Sequence, residues 1–228
     1  MIPLVIVIVI VLACAWYLLD YYKATDRADE HVLNTANVII SETDYGLEFD
    51  GPGEDALIFY PGGKVEYTAY SALMRDLAEE GIDCYLVEMP ANLAFLDTDK
   101  ADGIIKDFPH DKWYIGGHSL GGVAASMYAA DHDLDGLVLL ASYSTKVIDE
   151  PAISIYGSND GVLNLEKYEE AKSNLPANLK EVVIDGGNHA QFGDYGEQDG
   201  DGKATITAEE QQRKTADEIV NFFVKEEY

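Results

Sequence analysis

The stretch Trp113-Tyr114-Ile115-Gly116-Gly117-His118-Ser119-Leu120-Gly121-Gly122 places a serine in a Gly-x-Ser-x-Gly pattern between a predicted strand and a predicted helix. Residues 112–116 have the pattern of a short buried strand, and residues 120–131 that of an alanine-rich helix. A tight strand-to-helix turn lifts a serine hydroxyl out of the core and aims it at a base. We therefore predict that Ser119 is a nucleophile, the alternative being a serine that caps a helix. We call this strand-to-helix turn the elbow, and its other predicted residues are Gly117, His118 and Gly121.

Two later segments supply an acid and a base in the chain order that such a serine requires. Residues 153–156 predict a strand that runs into a turn containing Asp160. Residues 182–184 predict the next strand, and His189 follows in the loop after it. We expect the serine, the acid and the histidine to converge at the ends of these strands. Alternative acids are Asp185, Asp131 and Asp135, and Asp160 is preferred because it follows the strand expected to deliver the acid.

Two backbone amides are also needed to bind the oxyanion. Leu120, directly after the predicted nucleophile, supplies one of them. The apolar strand predicted over 56–60 leads into Pro61-Gly62-Gly63-Lys64-Val65, where residues without side chains let the backbone approach a substrate carbonyl. We predict Gly63 as the second donor, with Lys64 as the alternative. Candidate residues for the pocket wall are Asn92, Phe95, Tyr143, Asn159 and Phe192.

These motifs resemble those of the α/β-hydrolases, most closely the compact, capless branch called alpha/beta hydrolase family 5, which is related to the dienelactone hydrolases. The resemblance covers the chain from about residue 56 onward and rests on residues 59–65, 89–94, 116–122, 156–161 and 186–193. It implies that Ser119, Asp160 and His189 form a catalytic triad. Pro61 stands where lipases and many esterases have histidine before glycine, so lipase-like substrate handling is not implied.

The alternation of strand and helix patterns predicts an α/β fold with a mostly parallel sheet covered on both faces. The predicted strands are 38–40, 47–49, 56–60, 84–87, 112–116, 137–140, 153–156 and 182–184. The predicted helices are 67–80, 100–108, 120–131, 165–173 and 208–225. Connections are too short for a large lid, which favours an open site and small or surface-presented substrates.

Residues 2–19 form an apolar run without a charged side chain. As a helix this run would extend about 27 Å, barely enough for a bilayer core. The basic residues and cleavage site of a signal peptide are missing, so we predict an uncleaved transmembrane anchor over 1–22, in contact with the bilayer through residues 2–19. A linker over 23–35 and a hydrolase domain over 36–228 follow. Lys23 and Arg27 alone would place the domain in the cytoplasm, whereas the resemblance implies an extracytoplasmic domain at the cell membrane, which we adopt.

The formal net charge of −27 comes from 42 acidic and 15 basic residues. A surface this negative repels phosphate backbones, which argues against nucleic acid as a partner. The acidic loop 194–202 could suggest calcium, but its spacing does not match an EF-hand, and a solvated turn is favoured. We expect no metal or organic cofactor. The sequence gives no indication of oligomeric state.

Together these patterns predict a membrane-anchored serine hydrolase, most simply a carboxylesterase that cleaves small acyl esters through an acyl-enzyme. His118 lies beside the nucleophile and is not expected to replace His189 as the base. Three alternatives remain open at this point: an acyltransferase or a peptidase with the same triad, or a membrane-tethered binding module that has lost turnover.

Overall fold

The computed structural model describes residues 2–225 and, within them, places eight strands in one sheet. The strands are β1 (Ile39–Thr43), β2 (Gly46–Asp50), β3 (Asp55–Tyr60), β4 (Ile82–Val87), β5 (Lys112–His118), β6 (Gly136–Leu140), β7 (Ala152–Gly157) and β8 (Lys180–Ile184). Their order is β1-β2-β4-β3-β5-β6-β7-β8. The two pairs β1–β2 and β2–β4 are antiparallel, and the others are parallel. The predicted mostly parallel sheet is confirmed.

The helices between these strands lie where the sequence pattern predicts them, with small differences at their ends. The α-helices are α1 (Ile2–Leu19), α2 (Asp26–Glu30), α3 (Ser71–Glu79), α4 (Lys100–Asp107), α5 (Leu120–Ala129), α6 (Leu165–Ala171) and α7 (Ala208–Lys225). The predicted helix 67–80 begins as a 3-10 turn, Tyr67–Tyr70, before α3. Helix α4 ends before Phe108 because a residue that precedes proline avoids the helical conformation, and Pro109 follows.

Strand β3 shows how the sheet is buried on both faces. Leu57 and Phe59 point into one core, which also contains side chains of α3 and α7. Ile58 and Tyr60 point into the other, which contains side chains of α4 and α5. Because successive side chains of a strand face opposite sides, a strand covered on both faces is apolar throughout. This burial holds the carboxyl ends of the parallel strands in fixed positions at one edge of the sheet.

The apolar N-terminal run does form a helix, α1, and its described side chains are exposed. Across residues 2–225, however, no helix combines the length and the apolar character that crossing a membrane requires. The predicted anchor over 1–22 and the cell-membrane location derived from it are therefore wrong. The physical reason is length, since a helix that ends at Leu19 extends about 27 Å, less than the ~30 Å hydrocarbon core of a bilayer.

The segment that follows α1 lies against the domain. The backbone of Tyr22 pairs with the loop after β3, where its N–H donates to Lys64 O at 2.8 Å and its carbonyl accepts from Glu66 N at 2.9 Å. Farther on, Thr25 N donates to Asp194 O at 2.8 Å. Much of the stretch predicted as a linker over 23–35 is thus hydrogen-bonded to the domain and includes α2. Met1 and residues 226–228, at the ends of the predicted segments, lie outside the described residues.

We expect Leu139→Ala in the middle of β6 to lower the free energy of unfolding by about 2–5 kcal/mol, because Leu139 is fully buried and its removal leaves a cavity. The matched control is Leu33→Ala, since Leu33 is 65% exposed and its truncation should change stability by less than about 0.5 kcal/mol. Urea denaturation followed by circular dichroism measures both values. Equal losses in the two variants would contradict the placement of β6 in the core.

Candidate active site

Ser119 lies in the turn between β5 and α5 and has an unusual backbone conformation. Its φ of 53° and ψ of −123° fall outside the regions that residues with a side chain normally adopt. The surrounding structure holds it there: Ser119 N donates to Leu140 O at 2.9 Å, and Ser142 Oγ donates to Ser119 O at 2.7 Å. Such strain persists only where neighbouring contacts impose it, and it is concentrated at functional sites.

The glycines around Ser119 are required by close backbone approach. A Cβ atom on Gly117 would lie 2.6 Å from the carbonyl carbon of Gly121. A Cβ atom on Gly121 would lie 2.1 Å from the carbonyl oxygen of Pro61. Both distances are far below van der Waals contact. Gly117 therefore lets the end of β5 lie against the start of α5, and Gly121 lets the start of α5 lie against the loop that follows β3.

Asp160 and His189 meet in a buried hydrogen bond. Asp160 Oδ2 and His189 Nδ1 are 2.9 Å apart, and each side chain is only 1% exposed. The other carboxylate oxygen of Asp160 accepts hydrogen bonds from the amides of Val162 and Leu163, both at 2.8 Å. These contacts orient the carboxylate towards the imidazole, which fixes the tautomer in which Nδ1 carries the proton.

The second nitrogen of His189, Nε2, is buried and has no hydrogen-bond partner among the described residues. The hydrogen bond from Ser119 that a formed triad requires is therefore not made in this structure. The base nevertheless lies next to the elbow, because its ring centroid is 4.5 Å from that of His118, the residue before Ser119. Two of the alternative acids have other partners: Asp135 accepts from Trp113 N, and Asp185 accepts from a serine hydroxyl.

The loop after β3 limits which amides can bind an oxyanion. Leu120 is the first residue of α5, so its N–H has no partner within the helix. Lys64 N donates to Asn92 O at 2.8 Å, so this amide is already hydrogen-bonded and does not have a free hydrogen for an oxyanion. Gly63 lies against Leu120, since a Cβ atom on Gly63 would be 2.6 Å from Leu120 Cδ1. Of the two candidates for the second donor, Gly63 is the one that this geometry favours.

A buried hydrogen-bonded chain connects that loop to the elbow. Gly62 N donates to Tyr70 Oη at 3.0 Å, and Tyr70 Oη lies 2.8 Å from His118 Nδ1. With the Tyr70 hydroxyl assigned as the donor to Nδ1, neutral His118 carries its proton on Nε2, an atom that has no hydrogen-bond partner among the described residues. Burial lowers the pKa of His118 well below its usual value, and the neighbouring His189 lowers it further. Burial likewise raises the pKa of Tyr70.

The predicted pocket-wall residues do not share one surface. Phe192 is fully buried in the core, 5.6 Å from the ring of His118, so its assignment to the wall is corrected. The side chain of Asn159 donates to the carbonyl of residue 203 at 3.0 Å. Tyr143 lines a separate cavity of about 310 Å³. Phe95 remains 44% exposed.

A model of the alpha/beta hydrolase family matches residues 56–213. The chain belongs to this family. The match covers β3 to the first part of α7 and includes Ser119, Asp160 and His189. No curated protein sequence matches the chain.

Solved structures of low sequence identity share the fold of this alpha/beta hydrolase. One is MGS-MChE2, an alpha/beta hydrolase enzyme from the metagenome of lagoon sediments at Mar Chica, Morocco, with a TM-score of 0.64, 16% identity and coverage of 83% of this chain and 100% of that one. A monoacylglycerol lipase from Paleococcus ferrophilus has a TM-score of 0.62 and 14% identity, covering 81% and 99%. A dienelactone hydrolase from Anabaena variabilis has a TM-score of 0.59 and 15% identity, covering 82% and 96%.

Sequence reasoning missed three residues that organise the site of this alpha/beta hydrolase. They are Tyr70, Ser142 and Asp201. Each of them hydrogen-bonds to the backbone of a site loop, and none stands in a motif around the predicted site residues. Only the acidic pattern of loop 194–202 drew attention to Asp201, and there a solvated turn was favoured over a calcium site.

Tyr70→Phe should remove both hydrogen bonds of the buried hydroxyl and leave the Gly62 amide without an acceptor. We expect the free energy of unfolding to fall by about 1–3 kcal/mol, the cost of an unsatisfied buried polar group. In the control Tyr45→Phe, the lost hydrogen bond to Asp107 lies at the surface, and stability should change little. Thermal or urea denaturation of the two variants compares these effects. A Tyr70→Phe variant as stable as the wild type would contradict the buried chain.

Proposed function

We propose that this alpha/beta hydrolase is a serine hydrolase that cleaves small carboxylic esters through a covalent acyl-enzyme. Ser119 is the nucleophile, His189 the general base and Asp160 the acid that orients the base. The observation that carries the proposal is the buried hydrogen bond of 2.9 Å between Asp160 and His189, beside a serine whose backbone is held at a φ of 53°. A carboxylate, an imidazole and a half-buried turn serine in this chain order are the components of acyl transfer.

The free Nε2 atom of His189 supports its role as the base. A buried imidazole nitrogen without a partner is unfavourable unless another molecule or a moving side chain supplies one. A change in the χ1 angle of Ser119 or the arrival of substrate would supply that partner, and catalytic hydrogen bonds often tighten only when substrate is bound. In the forward step Ser119 Oγ attacks the ester carbonyl while Nε2 takes the hydroxyl proton. His189 then donates this proton to the leaving alcohol.

Asp160 and His118 have different effects on the charge that forms at His189 during this step. The Asp160 carboxylate stabilises the imidazolium through the Nδ1 hydrogen bond. Because the pKa of His118 is well below its usual value, that ring stays neutral and does not repel the new positive charge.

The amides of Leu120 and Gly63 would bind the oxyanion of the tetrahedral intermediate. Helix α5 begins at Leu120, so its positive end also favours negative charge at this position. The loss of one such donor typically lowers kcat by about 10²–10³. Water then attacks the acyl-enzyme, activated by the same imidazole, and releases the acid.

Small esters are the substrates that best fit an open site. Leu120, the residue after the proposed nucleophile, is 48% exposed, so this part of the site faces solvent. Two of the solved structures with this fold are named as a monoacylglycerol lipase and a dienelactone hydrolase, which supports ester chemistry. Turnover of an ester with competing alcohols present would show whether the acyl group goes to water, as we propose, or to an alcohol.

Ser119→Ala should abolish hydrolysis of p-nitrophenyl acetate and labelling by a fluorophosphonate probe, because no other group supplies the nucleophile. The expected loss in kcat is about 10⁶-fold, with an unchanged melting temperature. Ser173→Ala serves as the control, since this exposed serine lies after α6 and donates its hydroxyl hydrogen bond to the carbonyl of Glu170. Persistent labelling of the Ser119→Ala protein would refute the proposed nucleophile.

Asp160→Asn should lower kcat by about 10⁴-fold, because an amide favours the wrong tautomer of His189 and cannot stabilise its positive charge. Asp185→Asn removes the same charge from an alternative acid and should retain nearly full activity. Steady-state kinetics with p-nitrophenyl acetate compare the two variants. A larger loss in Asp185→Asn than in Asp160→Asn would reassign the acid.

A further inference from the structure

The carboxylate of Asp201 accepts hydrogen bonds from four backbone amides. Oδ1 accepts from Gly161 N at 3.0 Å, from His189 N at 3.2 Å and from Gly202 N at 2.7 Å. Oδ2 accepts from Ala190 N at 2.8 Å. Three of these donors belong to the two loops that carry Asp160 and His189. The side chain of Asp201 is therefore hydrogen-bonded both to the loop that carries Asp160 and to the loop that carries His189.

Asp160 and His189 both lie outside the strands and α-helices, so neither is held in place by regular secondary structure. Asp160 lies between β7 and α6, and His189 lies between β8 and the 3-10 turn Ala190–Phe192. The relative position of the two loops therefore depends on contacts between them and on the segment that contains Asp201. The amide of His189 itself is one of the groups that Asp201 binds.

Neighbouring residues attach the segment around Asp201 to the same two loops. Asn188 Nδ2 donates to Gly202 O at 2.8 Å on the histidine side. Asn159 Nδ2 donates to Lys203 O at 3.0 Å on the side of the acid. A Cβ atom on Gly202 would lie 1.8 Å from Asn159 O, so only glycine permits this approach. The segment is inserted between the loops.

A carboxylate suits this position better than an amide or a hydroxyl. It accepts hydrogen bonds at two oxygens with about four lone-pair directions and donates none. Bonds to a charged acceptor are also roughly twice as strong as those between neutral groups. The same geometry removes the calcium interpretation of this loop for Asp201, because its oxygens face amide hydrogens that would repel a cation.

We propose that Asp201 is a positioning residue that holds the loops of Asp160 and His189 at the relative position needed for the hydrogen bond between these two side chains. This proposal rests on the proposed function and deepens it. The residue acts through the backbone of His189 and touches neither the substrate nor the reacting atoms. Loss of its carboxylate lets the imidazole shift relative to Asp160 and Ser119, and a displacement of about 1 Å can lower the rate about 10²-fold.

The first experiment compares Asp201→Ala and Asp201→Asn with the control Asp199→Asn in the full chain. Asp199 is an exposed acid of the same loop, so its substitution removes an equal charge. We expect kcat for p-nitrophenyl acetate to fall about 10²-fold in Asp201→Ala and about tenfold in Asp201→Asn, in which one oxygen remains to accept, with KM within about threefold. The control should match the wild type. Each kcat is divided by the fraction of protein that a fluorophosphonate probe labels at completion.

This normalisation separates positioning from a merely structural role, because a destabilised variant loses labelled protein while each remaining site works at the normal rate. The positioning role of Asp201 is refuted if kcat per labelled site is unchanged in both Asp201 variants or if only KM changes. It is also refuted if Asp199→Asn loses as much activity as the Asp201 variants. The graded order of the two Asp201 variants also guards against a folding failure in Asp201→Ala.

A second measurement does not depend on turnover. The Nδ1 proton of His189, held between imidazole and carboxylate, should give a strongly deshielded resonance that disappears in His189→Gln. We expect Asp201→Asn to shift or broaden it and Asp199→Asn to retain it. An unchanged resonance in Asp201→Asn would overturn the positioning role. A wild-type protein that shows this resonance but cleaves no ester would instead refute the proposed function.

Discussion

The close approach between the elbow and the loop after β3 is the constraint on which the site depends. Ser119 keeps a φ of 53° in a turn where Gly117 lies against the backbone of Gly121, and Gly121 lies against the backbone of Pro61. Side chains at these glycines would force the two segments apart. The same approach brings Gly63 next to Leu120, so the position of the nucleophile and the position of the oxyanion donors are set by one contact. The buried strands beneath supply the rigidity that maintains the strain.

Polar groups around this contact are buried in satisfied networks that link different loops. Tyr70 joins the amide of Gly62 to His118 beneath the elbow. Asp201 binds backbone amides on either side of the Asp160–His189 pair. Buried polar networks of this kind specify a single arrangement, because breaking any contact leaves an unpaired group away from water. Among the described residues the exceptions include two imidazole atoms, Nε2 of His118 and Nε2 of His189, and the second is the atom where proton transfer is proposed.

The N-terminal run shows where a local pattern misleads. Its apolar composition indicates a membrane span over residues 2–19, but composition does not show what the residues after Leu19 contact. Helix α1 ends at Leu19, and Tyr22 is already paired with the backbone of the loop after β3. The pairing of Tyr22 is a tertiary contact, so hydropathy could not reveal it. Similarly, Phe192 follows the histidine closely in sequence and was expected at the pocket wall, yet it packs beneath His118 in the core.

The sequence by itself determined the order of strands and helices, the mostly parallel sheet, and the candidates Ser119, Asp160 and His189, because these depend on periodicity and on short motifs at strand ends. Only the tertiary structure decided which acid meets the histidine and which amides of the β3 loop are already committed. It also assigned Asp201 to the backbone of two loops. These outcomes depend on distances between segments far apart in the chain, which short-range pattern does not encode, since hydrogen bonds act over about 3 Å.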